Sequence, residues 1–162
     1  MNIFVFDPNP LRAARMHCNK HVCKMIIESA QMMSTAHHVL DGDSQICKRI
    51  YHQTHLNHPC TIWVRSCTGN YRWIYFLFKH LLAEYTHRYE KIHYTSRLIN
   101  HLGEYPKGMP VGRRMTFVQA MPEKYKQSNP VKAYRDYFNG DKQHIAAWKK
   151  RREPKWFRRM RK

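Results

Sequence analysis

Five polar side chains recur at spacings of four, three, four and three residues, which places them along one face of a helix: His17, His21, Lys24, Glu28 and Gln31. Apolar residues lie between them, so the same helix also has a face that can pack against a core. The pattern predicts one long helix that begins near Pro10 and runs towards His38. Imidazole, amine and carboxylate groups transfer protons or act as nucleophiles, so this stripe is also a candidate site.

The remaining sequence favours further helices and no second domain. Residues 2–6 are expected to be extended, residues 41–58 to form a structured loop, and residues 59–93 to be helical with a break near Gly69. Beyond Gly103, prolines and glycines interrupt the chain, and short helices are expected at 131–139 and 142–151. We therefore predict a mainly α fold: a single compact helical domain with a short extended N-terminus and a loop-rich, basic C-terminal third.

The length sets the domain organisation that we expect. A chain of 162 residues, 43% of them hydrophobic, is long enough to bury one sizeable core. No repeat or low-complexity linker divides it. We expect residues 1–95 to form the core of one domain and residues 96–162 to form a basic extension packed on that core.

The charge points to nucleic acid as a partner. The chain has 29 Lys and Arg against 11 Asp and Glu, a formal net charge of +18, which suits the phosphates of double-stranded DNA. An anionic membrane surface, a ribosome or an acidic protein remains an alternative partner. The candidate DNA-binding residues are Arg12, Arg15, His17, Lys20, Gln31, Asn57, His58, Arg113, Arg114, Lys149, Lys150 and Trp156.

The cysteines and the N-terminus indicate a cytoplasmic protein. Five cysteines without any Cys-x-x-Cys pair suggest neither a disulfide framework nor a zinc ribbon, which fits a reducing compartment. The apolar start of the chain meets Asp7 and two prolines too early for a signal peptide or a membrane span. We expect the cytoplasm, that of the host if the protein is viral, and a monomer without a cofactor.

A metal site is an open alternative for some of the same residues. His17 and His21 have the i,i+4 spacing with which a helix holds one metal ion, and His55 and His58 could add ligands. These four histidines would then belong to a metal-dependent nuclease. The His-Glu-x-x-His pattern is absent and acidic residues are few, which disfavours a two-metal centre.

Three short blocks in order carry a resemblance to a known family. They are Lys20-His21-Val22-Cys23-Lys24-Met25-Ile26-Ile27-Glu28-Ser29-Ala30-Gln31, then Asn57-His58-Pro59-Cys60-Thr61-Ile62-Trp63, then Leu82-Ala83-Glu84-Tyr85 with Arg88-Tyr89. Together they resemble the pyrimidine-dimer DNA glycosylase family, the endonuclease V type of phages and bacteria. The resemblance covers roughly the first 95 residues. It implies a small, basic, mostly helical DNA glycosylase with an attached abasic-site lyase activity.

The resemblance also implies roles for individual residues. Glu28 corresponds to the family's catalytic glutamate. His21, seven positions before Glu28, stands where the family has a basic residue. The best-studied family members attack the sugar with the α-amine of a small residue exposed by removal of methionine, whereas this chain begins Met1-Asn2. The amine could be the α-amine of Met1 or the side chain of Lys24. A lysine is ordinarily protonated at neutral pH and would need desolvation or nearby positive charge, while α-amines ordinarily lose their proton at about pH 8.

Taken together, the sequence predicts a DNA repair enzyme that cleaves the glycosidic bond of a damaged or modified pyrimidine through an imine intermediate. Two alternatives stay open. One is a DNA-binding protein that keeps the scaffold without catalysis, and the other is the histidine-dependent metal nuclease.

Overall fold

The described part of the chain folds into five α-helices joined by loops and short 3-10 turns. The structure is a computed structural model that describes residues 1–42 and 44–159. The α-helices are α1 (Pro10–Met16), α2 (Asn19–Leu40), α3 (Pro59–Arg65), α4 (Thr68–Tyr89) and α5 (Pro130–Asp141), and the 3-10 turns are Tyr94–Leu98, His101–Gly103, Glu123–Tyr125 and Gln143–Ile145. No β-strand occurs in these two described ranges. The predicted mainly α fold is confirmed.

The first long helix is divided in two, so the prediction of one helix from Pro10 to His38 is wrong. His17 and Cys18 adopt extended backbone angles between α1 and α2. The end of α1 leaves carbonyl groups without helical partners, and the guanidinium of Arg88 binds two of them. It donates to the carbonyl of His17 at 2.8 Å and to that of Arg15 at 3.2 Å. A side chain from α4 thus stabilises the break, which carries no proline or glycine.

Two other helix boundaries differ from prediction. The break within residues 59–93 lies between α3 and α4 at Ser66 and Cys67, and Gly69 is inside α4. The predicted helix at 142–151 is wrong, since only the 3-10 turn Gln143–Ile145 forms there. Trp148 explains part of this, because its indole N–H donates to the carbonyl of Met16 at 3.0 Å and holds the segment against α1. The predicted helix at 131–139 is confirmed as α5.

In the core, the N-terminal segment packs against the helices and against the C-terminal third. α2 packs along α4, α1 packs on α4, and α3 contacts both α2 and α4. Residues 3–6 are buried in this core without forming a strand. The ring of Phe6 lies 5.5 Å from that of Phe138 on α5 and 4.9 Å from that of Trp156. Among the described residues, no helix has the length and hydropathy required to cross a membrane.

Candidate active site

A pocket of about 370 Å³ opens beside the N-terminal half of α2. Three segments form it: the first residues of the chain, one face of α2, and the end of α5 with the 3-10 turn that follows. Its lining residues are Met1, Asn2, Phe4, Lys20, His21, Lys24, Met25, Glu28, Tyr137, Lys142, His144 and Ile145. Three members of the predicted helical stripe, His21, Lys24 and Glu28, therefore lie in one cavity with the N-terminus.

The carboxylate of Glu28 lies at the centre of the polar groups in the pocket. The α-amine of Met1 is 3.8 Å from Oε2 of Glu28, and the side chain of Glu28 is only 9% exposed. The backbone N–H of Asn2 donates to the same oxygen at 2.7 Å. A buried carboxylate requires such partners, because burial without them is costly. The N-terminal amine is thus held beside the one carboxylate of the pocket.

Asn2 fixes the orientation of the N-terminus. Its side-chain oxygen accepts the N–H of Ile3 at 2.8 Å, and its side-chain nitrogen donates to the carbonyl of Ala120 at 2.6 Å. Its backbone N–H is bound to Glu28. Chain termini are commonly mobile unless they are tied down, and here Asn2 ties the terminus to two distant residues, Glu28 and Ala120. Sequence reasoning missed this residue, whose role depends on a contact across 118 positions.

Lys24 brings a second amine to the same carboxylate. Its Nζ is 3.6 Å from Oε1 of Glu28 across one helical turn, and its side chain is 69% exposed. Lys20, one turn earlier on α2, also lines the pocket and is exposed. The pocket therefore holds both candidate nucleophiles, an α-amine beside Glu28 and a solvated lysine.

The two histidines of the stripe are buried and neutral. Burial lowers the pKa of His21 to about 2, with further lowering by the positive charges of its neighbours, and burial lowers the pKa of His17 to about 4. The ring of His21 lies against that of Phe4, with centroids 4.1 Å apart and planes tilted by 39°, and it lines the pocket. His17 has no exposed surface and donates from Nδ1 to the carbonyl of Ala13 at 2.7 Å. We therefore remove His17 from the candidate DNA contacts.

The four histidines considered as metal ligands do not form a common metal site. In residues 1–42 and 44–159, no group of three or more His, Cys, Asp or Glu side chains is arranged to hold a metal ion. His17 and His21 lie among Phe rings, and the predicted grouping of these two with His55 and His58 is wrong. His55 instead binds the hydroxyl of Thr54 at 2.8 Å.

Three predicted contacts from the sequence blocks lie outside the pocket. His58 caps α3 by accepting the N–H of Cys60 at 3.2 Å. Burial and then the positive charge of the Met1 amine lower the pKa of His58, so it lies within electrostatic reach of the pocket. Gln31 is partly exposed, one turn beyond Glu28 on α2, and Asn57 is exposed beside His58. Neither lines the pocket, and their contact with DNA stays a prediction.

The basic candidates are exposed, whereas the aromatic one, Trp156, is partly buried against the core. The exposed residues are Arg12, Arg15, Lys20, Arg113, Arg114, Lys149 and Lys150. Lys150 forms an ion pair with Glu90. Trp156 is packed against Phe6, and its indole N–H contacts the sulfur of Met16 at 3.3 Å. Trp156 therefore anchors the C-terminal segment to the core.

Sequence reasoning also missed the wall that the C-terminal third supplies. Tyr137, Lys142, His144 and Ile145 line the pocket although no motif marks them. Tyr137 and Lys142 are five positions apart, and only the end of α5 brings them to the same cavity. A packing contact between distant segments leaves no local sequence signal, so this wall could be found only from the fold.

Comparison with known proteins places these residues in a family. The family model for pyrimidine dimer DNA glycosylases matches residues 1–96, which include both candidate amines and Glu28. Searches among curated proteins and among solved structures found no match. The matched range covers more than half of the chain and confirms the resemblance carried by the three blocks. The chain therefore belongs to the pyrimidine dimer DNA glycosylase family, whose members are DNA-binding enzymes of DNA repair.

Proposed function

We propose that this protein is a DNA glycosylase with abasic-site lyase activity, which acts as a monomer on damaged or modified pyrimidines in cytoplasmic double-stranded DNA. The α-amine of Met1 is the nucleophile, and Glu28 is the group that moves protons. One observation carries the proposal: the amine lies 3.8 Å from a nearly buried carboxylate in an open pocket. The net charge of +18 supports binding to a phosphate backbone.

The reaction begins with attack on the sugar. The nitrogen lone pair of the unprotonated amine bonds to C1′, and the glycosidic bond breaks with its electron pair going to the base, which takes up a proton. The sugar ring then opens as its C1′–O4′ bond breaks: the attacking nitrogen gives up one proton, O4′ takes up a proton, and an iminium forms between the nitrogen and C1′. Glu28 accepts the proton from C2′ while the bond from C3′ to the 3′ phosphate oxygen breaks. Water hydrolyses the remaining imine and frees the amine.

Geometry favours Met1 over Lys24 as the nucleophile. Both nitrogens lie within 4 Å of Glu28, but Lys24 is 69% exposed while the terminus is held by Asn2. A positioned nucleophile has already lost the freedom that a flexible side chain must lose in the transition state. An α-amine is also ordinarily less basic than a lysine and is more often unprotonated at neutral pH.

Borohydride trapping tests the proposal directly. The protein is incubated with labelled duplexes that are undamaged, abasic or ultraviolet-irradiated, with chelator present, and any trapped peptide is identified by mass spectrometry. We expect an adduct on Met1 that requires the lesion or the abasic site. Lys24→Met should keep the adduct. An adduct on Lys24 would overturn the assignment of the amine, and binding to every duplex without an adduct or cleavage would favour a non-catalytic DNA-binding protein.

Substitution of Glu28 tests the second role. Glu28→Gln keeps an oxygen that can accept the N–H of Asn2, yet removes the group that takes up a proton. We expect the single-turnover rate of strand cleavage to fall by about 10² to 10⁴-fold, the usual contribution of a general acid or base, with DNA affinity retained. Glu104→Gln is the matched control, because Glu104 is exposed and outside the pocket. Lost affinity with intact cleavage would refute the assigned role.

A further inference from the structure

One wall of the pocket comes from residues beyond the range that matches the family. Tyr137 lies on α5, Lys142 follows the end of that helix, and His144 and Ile145 belong to the next 3-10 turn. The family match ends at residue 96. The matched region therefore supplies the amines and the carboxylate but does not enclose the cavity by itself.

The wall is held in place by aromatic contacts. The ring of Tyr137 lies parallel to that of Phe4, with centroids 5.9 Å apart and an angle of 6° between the planes. The ring of Phe4 in turn contacts that of His21, at 4.1 Å between centroids. On another side, the ring of Tyr125 lies 5.4 Å from that of Tyr137, and its hydroxyl donates to Asp141 at 2.7 Å. These contacts fix the end of α5 against the N-terminal segment, so Lys142 is presented from a rigid support.

Lys142 faces the pocket from this support. Its Nζ lies 5.3 Å from the centroid of the Tyr137 ring, and its charge contributes to the lowered pKa of His21. No carboxylate among residues 1–42 and 44–159 lies within ion-pairing distance of its Nζ. The side chain is half-buried. Lys142 is thus a cation beside the cavity that retains its capacity to bind an anion.

The charges around the cavity are unbalanced. Among the described residues, the lining contains four cationic groups, namely the Met1 amine and the side chains of Lys20, Lys24 and Lys142, against the single carboxylate of Glu28. Met1 and Lys24 both lie beside Glu28, whereas Lys142 is across the cavity on the other wall. An excess of positive charge in a concave site favours an anionic ligand. In a nucleotide the anionic group is the phosphate.

From these observations we infer that Lys142 binds a phosphate next to the sugar that is being cleaved, and that Tyr137 positions Lys142 for this contact. The inference rests on the proposed function in that it takes the pocket as the site of the sugar. It makes the C-terminal third a part of the substrate site rather than only a basic extension. The contact is electrostatic and independent of base identity.

A short ligand tests this contact without the rest of the DNA interface. The probe is a single-stranded trinucleotide with a central tetrahydrofuran in place of the abasic sugar, which binds but cannot form an imine. Affinity is measured by fluorescence anisotropy at several salt concentrations. We expect Lys142→Met to weaken binding about tenfold, as for a lost hydrogen bond to a charged group, and to lower the salt slope by about 0.7, the value for one phosphate of a single strand.

Two further variants separate this effect from general charge and from folding. Lys132→Met removes the same charge from an exposed position of α5 outside the pocket, and we expect it to leave binding of the trinucleotide unchanged. Lys142→Arg should restore most of the affinity. Equal effects of the Lys142 and Lys132 substitutions, or no binding by the unchanged protein, would overturn the inference. Because the probe cannot react, this failure is distinct from that of the proposed chemistry, which the absence of a borohydride adduct would show.

Discussion

Replacement of His21 by phenylalanine should make the stability of this protein less sensitive to mild acid. The ring of His21 packs against that of Phe4, its Nδ1 has no hydrogen-bond partner among the described residues, and burial lowers its pKa to about 2. An aromatic ring without a titrating nitrogen can therefore take its place with modest loss of packing. The substitution removes a group that must stay neutral for the fold to persist.

The magnitude follows from the difference between the folded and unfolded states. In the unfolded chain, His21 takes up a proton near its ordinary pKa of 6.5, whereas in the folded protein it does so only near 2. Between these values the unfolded state binds more protons, so the free energy of unfolding falls as the pH falls. From pH 6 to pH 5 one such histidine lowers the free energy of unfolding by about 1.2 kcal/mol. His17, with a folded pKa of about 4, adds nearly the same loss.

Urea unfolding at pH 6 and pH 5, at constant ionic strength, measures this loss. The unchanged protein should lose about 1.2 kcal/mol more than His21→Phe over this interval. Phe4→Leu is the control for packing, since it alters the same ring contact and leaves both histidines in place; its loss between the two pH values should equal that of the unchanged protein. Equal losses in the unchanged protein and in His21→Phe would refute a neutral, buried His21.

Two substitutions test contacts that organise the fold around the pocket. Arg88→Met should lower the free energy of unfolding by about 3–5 kcal/mol, as for a broken buried ion pair, because fully buried Arg88 binds the carboxylate of Glu84 and the carbonyl of His17. Urea unfolding measures this loss. A loss under about 1 kcal/mol would contradict the prediction. Gly69→Ala should lower it by about 1–3 kcal/mol and weaken duplex binding, because the added Cβ would lie 2.2 Å from the backbone nitrogen of Arg114. Unchanged thermal unfolding and unchanged gel-shift affinity would show that the loop accommodates the methyl group.

The sequence predicts those parts of the site that one helix determines. Lys20, Lys24 and Glu28 are one turn apart, and the helical period alone places them on a common face. The structure bears this out, since all three line the pocket and Lys24 reaches Glu28 across one turn. α5 was predictable for a similar local reason, because Asn129 caps it and Pro130 begins it.

The remaining features depend on contacts between distant residues. The break between α1 and α2 is stabilised by Arg88, which is 71 positions from the carbonyl that it binds at His17. His17 and His21 belong to the same stripe as Lys24, yet they are buried while Lys24 is exposed. The periodicity of a stripe at the boundary between core and solvent does not indicate which of its residues the rest of the chain buries. Here Phe6 contacts both imidazole rings, and Phe138 contacts that of His21.

The placement of the proposed nucleophile depends on the part of the chain that the family match does not include. The terminus is oriented by Asn2, whose side chain donates to the carbonyl of Ala120. The backbone just beyond it is held by Arg135, whose guanidinium donates to the carbonyl of Phe6 at 2.7 Å. An amine at a chain terminus is useful as a nucleophile only if its position is fixed before the substrate arrives. Residues 1–96 therefore contain the proposed reactive groups, and later residues restrict the motion of the amine. An altered C-terminal third should change the reaction rate even where it leaves each of these groups intact.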